Sequence, residues 1–201
     1  MTLQFVETIK IKDGKLLRLP YHQMRMERTI RHFFPSMDVA SIPSLQQLIS
    51  PTGTRGVVKA RVVYGQDGTE NVEYAPYTMR EMHSLQVVED NNIDYSYKSC
   101  DRSLLNRLVA KKGNCDDVII IRRGRVTDTS FTNLALYDGH EWLTPRFPLL
   151  LGTQRAHLLD QGTIREADIT MDDLHKAEKV CLFNAMIEFG ERVIDIQDVH
   201  F

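Results

Sequence analysis

The sequence is poor in the features that mark exported, membrane-spanning or disulfide-stabilised proteins. It has three cysteines among 201 residues, an odd number without paired spacing, which favours a reduced compartment over a disulfide framework. Its longest apolar runs, such as Val118–Ile121, are far too short to cross a bilayer. The first residues lack the basic segment and apolar core of a signal peptide. We therefore expect a cytoplasmic protein that does not enter a membrane.

An excess of charge of one sign is also missing. The formal net charge is -2, so no long-range field attracts nucleic acid. The basic cluster Arg122-Arg123-Gly124-Arg125 has no interleaved aromatic residues, which favours a solvated hairpin loop over a nucleic-acid surface. The seven histidines are scattered, and no Cys/His group has zinc-like spacing, so no metal site is expected.

Strand and helix patterns alternate along the chain. Strands are predicted at Leu3–Lys10, Leu16–Leu19, Val57–Tyr64, Asn71–Tyr77, Leu85–Val88, Asp117–Arg122, Asn133–Tyr137 and Val180–Asn184. Helices are predicted at Tyr21–Phe34, Pro43–Ile49, Asp101–Ala110 and Thr153–Leu159. This order predicts a mixed α/β or α+β protein. If the chain has two lobes, the join falls between Tyr77 and Ser84, which gives domains 1–83 and 84–201.

Several short motifs follow one another in an informative order. They are Phe5-Val-Glu-Thr-Ile9, His22-Gln-Met-Arg25, Tyr97-Lys98, Gly124-Arg-Val-Thr-Asp128 with Asn133-Leu134, Thr144-Pro145, and Leu150-Leu-Gly-Thr-Gln-Arg155. In order and spacing they resemble the class IV aminotransferases, which include branched-chain and D-amino-acid aminotransferases and 4-amino-4-deoxychorismate lyase. The resemblance implies a two-lobed fold type IV enzyme, with a small N-terminal α+β domain and a larger C-terminal β-rich cofactor-binding domain. It also implies pyridoxal 5'-phosphate as cofactor, a small-molecule substrate and a homodimer.

Two residues would carry the chemistry of this cofactor. The resemblance assigns the amine that holds pyridoxal phosphate to Lys98, the catalytic residue, which desolvation or a nearby cation would keep partly neutral. The alternative is an ordinary surface lysine. Asp128 would face the pyridine nitrogen and keep it protonated, so that the ring accepts electrons. An aspartate in a turn is the alternative for Asp128.

The phosphate would be bound by a helix start and by side chains brought to it. Gly152, Thr153 and Gln154 open a predicted helix, whose free N–H groups and dipole favour an anion. Simple capping by Thr153 is the compatible alternative. The resemblance adds Arg25, whose guanidinium would fork onto phosphate oxygens, although a solvated helix arginine is common. It also adds Asn184-Ala185, which would supply another N–H and an amide.

A carboxylate clamp for the substrate is predicted at Arg61. A charged residue inside the strand Val57–Tyr64 is unexpected unless it faces a partner, and the position corresponds to a carboxylate contact in the family. An outward-facing strand arginine is the alternative. Arg102 and Arg155 are weaker candidates for the same role.

The sequence favours the lyase over the transaminases. The segment Asn184-Ala185-Met186-Ile187 resembles the lyase's N-A-L-M, the chain is short, and Gln154 replaces a threonine that transaminases usually keep. The expected function is a 4-amino-4-deoxychorismate lyase that releases pyruvate and 4-aminobenzoate for folate synthesis. The alternatives are an aminotransferase of branched-chain or D-amino acids, and a pyridoxal-phosphate-binding protein without catalytic activity. An α/β domain with no cofactor is the remaining possibility.

Overall fold

The computed structural model describes residues 3–38, 42, 44–51 and 55–201. The chain forms two compact units, the first made of Met1–Met79 and Tyr97–Asp101, the second of Arg80–Ser96 and Arg102–Phe201. The sequence predicts a boundary after residue 83, whereas the chain leaves the first unit after Met79 and later returns to it. Residues 97–101, with Lys98, therefore belong to the first unit, because their backbone pairs with the first strand.

The first unit is an antiparallel sheet with a helix. Its strands are β1 (Gln4–Lys12), β2 (Lys15–Leu16), β3 (Val57–Gly65) and β4 (Gly68–Pro76), in the order β2-β1-β3-β4, and its helices are α1 (Leu19–Phe33) and α2 (Leu45–Leu48). Asp13 and Gly14 turn β1 into β2 with φ angles of 48° and 79°, as a tight hairpin requires. Pro43, the first residue of the second predicted helix, lies outside the described residues.

The core of the first unit follows from the two-residue period of β1. Phe5, Ile9 and Ile11 are at most 1% exposed and pack with Met26 and Ile30 of α1. Alternate residues of a strand share one face, so this face of β1 is directed at the helix. Glu7 lies between Phe5 and Ile9 on the same face, and its carboxylate is fully buried there.

The second unit contains two sheets and three helices. One sheet has the order β13-β5-β6-β7 and the other β10-β9-β8-β11-β12. The strands are β5 (Leu85–Glu89), β6 (Asp117–Arg122), β7 (Arg125–Thr129), β8 (Asn133–Tyr137), β9 (Trp142–Pro145), β10 (Arg165–Ala167), β11 (Lys179–Phe183), β12 (Val193–Asp195) and β13 (Val199–His200). The helices are α3 (Ser103–Val109), α4 (Thr153–Asp160) and α5 (Met171–Lys176).

The two sheets of the second unit pack on each other through a shared apolar core. Ile119 and Val126 of the first sheet join Leu134 and Leu182 of the second in one cluster of buried side chains. The predicted mixed α/β fold class is confirmed. Among the described residues, no helix combines the length and apolar content needed to cross a membrane. The same residues hold no group of His, Cys, Asp and Glu that would bind a metal ion.

Candidate active site

Lys98 lies in a short segment that pairs with the start of β1. The N–H of Val6 donates to the carbonyl oxygen of Lys98 at 3.0 Å, and the N–H of Cys100 donates to that of Gln4 at 2.9 Å. Ser99 forms an antiparallel bridge with a residue of the same strand. The backbone is therefore held on both sides of Lys98, which fixes the point from which its amine extends.

The ring of Tyr97 anchors the same segment to α1. It stacks on His32, with centroids 4.8 Å apart and planes 15° apart, and meets Phe33 edge-on at 4.8 Å. The guanidinium carbon of Arg28 lies 5.6 Å from the ring centroid, in cation–π geometry. Ser99 is paired with Phe5, whose side chain faces α1, so the adjacent Lys98 is expected on the opposite side of the sheet.

Arg61, the predicted carboxylate clamp, lies on the face of the sheet that Lys98 shares. Its neighbour Ala60 is fully buried on the helix side, so Arg61 projects from the other face. Arg61 Nη2 is 4.0 Å from the sulfur of Cys100, a residue on the same side of its segment as Lys98. Arg61 Nη1 donates to Glu73 Oε2 at 3.2 Å, in an exposed ion pair that leaves the arginine accessible. The structure thus brings Lys98 and Arg61 to one surface.

Arg25 is engaged differently from the sequence prediction. It is 7% exposed, and its Nε and Nη2 donate to the two carboxylate oxygens of Glu7 at 2.8 and 2.5 Å. These two guanidinium donors of Arg25, which the sequence analysis assigns to phosphate, therefore bind Glu7. His22 Nδ1 contacts the same carboxylate at 2.6 Å, which completes a buried triad of Glu7, His22 and Arg25.

The triad holds a charge pair inside the first unit. Burial alone would raise the pKa of Glu7, but the charge and hydrogen bonds of Arg25 outweigh it and lower that pKa to about 2. Burial lowers the pKa of His22, so its ring is neutral at pH 7 and donates from Nδ1. The sequence contains a signal for this triad, because Glu7 interrupts an apolar face, and a buried carboxylate requires partners.

Asp128 is a buried carboxylate on β7, 4% exposed. Its Oδ1 accepts a hydrogen bond from Asn133 Nδ2 and its Oδ2 from the N–H of Leu150, both at 2.8 Å. Burial raises the pKa of Asp128 to about 6, even though these hydrogen bonds act in the opposite direction. Among the described residues no cation lies within ion-pair distance of it. A protonated ring nitrogen is the kind of group that such a carboxylate would bind.

The start of α4 is joined to Asp128 through Asn133. Asn133 Nδ2 also donates to the carbonyl oxygen of Leu150 at 2.9 Å, two residues before the N-cap Gly152. A Cβ on Gly152 would lie 1.9 Å from Asn133 Oδ1, so only glycine fits there. The carboxylate, the turn and the helix start consequently form one unit, in which Asp128 and the first N–H groups of α4 have fixed relative positions.

The first turn of α4 has the properties of an anion site. The N-cap residue Gly152 has no side chain with which to cap the helix, and Thr153 and Gln154 are 3% and 2% exposed. Gln154 Nε2 donates to Glu188 Oε2 at 3.1 Å, while its Oε1 is buried without a partner among the described residues. Uncapped N–H groups at a helix start favour a phosphate.

Asn184, predicted to contact phosphate, stabilises its own loop. Its N–H donates to the carbonyl oxygen of Ile187 at 3.1 Å, and its Nδ2 donates to that of Phe131 at 3.1 Å. Its Oδ1 accepts from the N–H groups of Met186 and Ile187 at 2.8 and 3.0 Å. The half-buried Ala185 lies within this loop. The amide of Asn184 thus shapes the segment after β11.

The two weaker carboxylate-clamp candidates have partners inside the second unit. Arg155 is 3% exposed, and its Nη2 donates to the carbonyl oxygen of Pro145 at 2.8 Å and to Glu166 at 2.6 Å. Arg102 Nη2 donates to the carbonyl oxygen of Ser130 at 2.8 Å. Both guanidinium groups therefore stabilise local structure, which leaves Arg61 as the exposed candidate.

Comparison with known proteins agrees with this geometry. Residues 4–191 match the family model described as amino-transferase class IV. An uncharacterized Haemophilus influenzae protein is 37% identical over 182 residues, covering 90% of this chain and 96% of that protein. A crystal structure from Haemophilus somnus, provisionally assigned as a 4-amino-4-deoxychorismate lyase, is 35% identical with a TM-score of 0.86, and the match covers 94% of this chain and 98% of that one. A pyridoxal-phosphate-bound structure of a hypothetical aminotransferase from Mycobacterium tuberculosis shares the fold at 17% identity and a TM-score of 0.76, over 92% of this chain and 78% of that one.

Proposed function

Because the chain belongs to the class IV aminotransferases, we propose that it is a pyridoxal-phosphate enzyme and, within that family, a 4-amino-4-deoxychorismate lyase. The observation that carries the cofactor assignment is the fixed unit of Asp128, Asn133 and the uncapped start of α4. The 35% identity to the Haemophilus somnus protein, across nearly the whole of both chains, supports the choice of substrate.

The residues present fit this cofactor. Lys98 supplies a primary amine on a fixed backbone, the N–H groups of Thr153 and Gln154 offer a phosphate site, and Asp128 is a buried anion without a cation partner. When bound, pyridoxal phosphate supplies an electron sink that makes a neighbouring carbon–hydrogen bond acidic. Asp128 would hold the ring nitrogen in its protonated form. Aspartate is one methylene shorter than the family's usual glutamate, so Asp128 would reach the ring nitrogen either directly, at closer approach, or through a water.

Lys98 would act in two stages. Its amine would hold the cofactor in the resting enzyme, would be freed when the substrate's amino group replaces it, and would displace the aromatic amine by the reverse exchange at the end of the cycle. The freed amine then accepts the proton from the ring carbon that bears the substrate's nitrogen. The enolpyruvyl group leaves with its electron pair and takes up a proton, which Lys98 is positioned to return. The products are pyruvate and an aromatic amine, and aromatisation drives the step.

Arg61 would bind a carboxylate of the substrate. Its guanidinium is partly exposed and shares the sheet face of Lys98, and its ion pair with Glu73 is solvent-accessible. An exposed pair of this kind contributes only about 0 to 1 kcal/mol, so an incoming carboxylate can replace Glu73 at little cost. Arg61 thereby orients the substrate relative to the amine that moves the proton.

The test is a coupled assay with the unstable substrate made in place. Chorismate, ammonia and an aminodeoxychorismate synthase are incubated with the protein, and 4-aminobenzoate and pyruvate are measured. We expect both products in equal amounts without any amino acceptor, and none with Lys98→Ala. Lys111→Ala, which removes an exposed lysine, is the matched control and should retain turnover.

The alternative functions give different results when the same protein is assayed. A transaminase converts the cofactor to its pyridoxamine form with an amino donor alone, visible as a change in absorbance. A binding protein without activity takes up pyridoxal phosphate but turns over neither substrate set. A colourless protein that borohydride does not label would remove the cofactor from the proposal.

Cellular location and assembly complete the proposal. No disulfide joins the three cysteines, in keeping with a reducing compartment, and we propose a cytoplasmic enzyme acting on a small molecule. We also propose a homodimer, by analogy with the family. Sedimentation equilibrium would test it, because a mass near 23.2 kDa would mean a monomer.

A further inference from the structure

The hairpin between β6 and β7 has three arginines at positions where arginine is locally unfavourable. Arg122 and Arg125 are directly opposite each other in the antiparallel pair, and like charges in that position are destabilising. Arg123 and Gly124 form the turn with φ angles of 55° and 72°. Glycine, asparagine or aspartate is the usual choice for such angles, and a long side chain there is strained. Positions that break local rules in this way are expected at functional sites.

Arg122, Arg123 and Arg125 line a cavity of about 220 Å³, together with Thr127 and Phe147. Phe147 is 54% exposed, an unusual state for an aromatic side chain. Side chains alternate along β7, so Thr127 projects from the face opposite to that of Asp128. This arginine pocket, defined by Arg122, Arg123, Arg125, Thr127 and Phe147, is therefore separate from the proposed cofactor site.

The arginine pocket carries surplus positive charge. Arg122 Nη1 donates to the carbonyl oxygen of Ile93 at 3.3 Å, and its charge also interacts with the nearby carboxylate of Asp94. Arg125 Nε lies 3.7 Å from Asp168 Oδ1, at a half-exposed position. Among the described residues, this is the one carboxylate within ion-pair distance of the three arginines. The three arginines thus outnumber the carboxylates of Asp94 and Asp168 that interact with them.

We propose that the arginine pocket binds a small oxyanion carried on a planar ring, with an aromatic carboxylate as the simplest case. Guanidinium groups bind carboxylates through paired, charge-assisted hydrogen bonds. The exposed ring of Phe147 offers a face or an edge for a second ring. The cavity is smaller than the roughly 300 to 1,000 Å³ of drug-sized pockets, which suits a ligand with one ring. The proposal does not depend on the proposed function.

The test is a titration with benzoate at low ionic strength, followed by chemical shifts of backbone amides and by calorimetry. Benzamide serves as the uncharged probe and inorganic phosphate as the probe without a ring. We expect benzoate to bind most tightly, and to shift the amides of the hairpin. Arg123→Asn suits the left-handed turn, so it should fold normally while benzoate affinity falls on the order of tenfold, the loss expected for one charge-assisted bond. Arg107→Asn, an exposed arginine on α3, is the matched control and should change nothing.

Two further variants locate the ligand. Phe147→Ser should weaken benzoate but leave phosphate unchanged, because phosphate has no ring to pack. Arg61→Gln should leave benzoate binding intact, since the proposed substrate clamp lies in the other unit. Loss of binding in Arg61→Gln with full retention in Arg123→Asn would assign benzoate to the clamp and overturn the proposal. Equal binding of benzamide and benzoate, or no binding of benzoate, would overturn it as well.

Discussion

Replacing Asp128 by asparagine should change the pH dependence of stability in the cofactor-free protein. The pKa of Asp128 is raised from 3.8 to about 6 by burial, so the folded state holds a proton that the unfolded state has already lost. Stability attributable to this group is therefore greatest below pH 3.8 and decreases as the pH rises to about 6. At about 1.4 kcal/mol per pKa unit, the total is about 3 kcal/mol.

The change of the stability difference with pH is more informative than its value at one pH, because the substitution also changes a hydrogen bond. Asp128 accepts from two donors, and an amide at this position turns a donor toward one of them, at a pH-independent cost of roughly 1 to 3 kcal/mol. The buried His22, whose pKa is lowered, makes stability rise with pH, but it is present in both proteins and cancels in the difference.

Urea unfolding of the wild type and Asp128→Asn between pH 4 and 7.5 measures this difference. We expect the variant to gain roughly 2 to 2.5 kcal/mol relative to the wild type across that range, because part of the total is already lost at pH 4. Asp172→Asn, an exposed carboxylate in α5, is the control and should give a nearly flat difference. Saturating pyridoxal phosphate should reduce the slope, because a cationic ring nitrogen stabilises the carboxylate. A flat curve for Asp128→Asn would refute the account of a buried, uncompensated charge.

Substitutions of Tyr97, Glu7 and Gly152 test the framework of the site, with Glu73 as a control position. Tyr97→Phe keeps the ring stack and should retain a normal absorbance titration of the bound cofactor, whereas Tyr97→Ala should shift that titration by displacing the adjoining lysine; identical profiles would contradict a positioning role. Glu7→Gln leaves the buried Arg25 without its counter-charge and should cost roughly 3 to 5 kcal/mol in urea unfolding, while Glu73→Gln, in an exposed pair, should cost no more than about 1 kcal/mol. Gly152→Ala places a methyl group 1.9 Å from a neighbouring amide oxygen, so it should lower both the melting temperature and the affinity for pyridoxal phosphate; unchanged affinity would argue against phosphate at α4.

Local sequence patterns predict the strands and helices that bury one apolar face or are apolar throughout. The apolar period of β1 and the fully apolar run of β6 are examples, since each residue type there matches its environment. The pattern does not predict β7, because its buried face includes Thr127 and Asp128 rather than apolar residues. Their burial is possible only through hydrogen bonds, such as that from Thr127 Oγ1 to the carbonyl oxygen of Ile120 at 2.7 Å. A pattern of hydrophobicity does not record such bonds.

The sequence predicts which residues belong to the candidate site more readily than it predicts the groups to which they hydrogen-bond. Motif order predicts Lys98, Asp128, Arg25 and Asn184 as site residues, but it does not predict the hydrogen bonds that Arg25 and Asn184 make within the protein. Arg25 binds Glu7, eighteen residues earlier, and Asn184 contacts a residue fifty-three positions away. These pairings depend on the tertiary fold, which spacing along the chain does not encode.

The return of residues 97–101 to β1 has a consequence for how the protein is made and divided. A fragment ending at Met79 would leave the N-H and C=O groups of Gln4 and Val6 without the partners that Cys100 and Lys98 provide. An open strand edge of this kind recruits other chains and promotes aggregation. During synthesis the edge of the first sheet stays incomplete until residues 97–101 have left the ribosome, so the segment that completes this edge is also the one that carries Lys98.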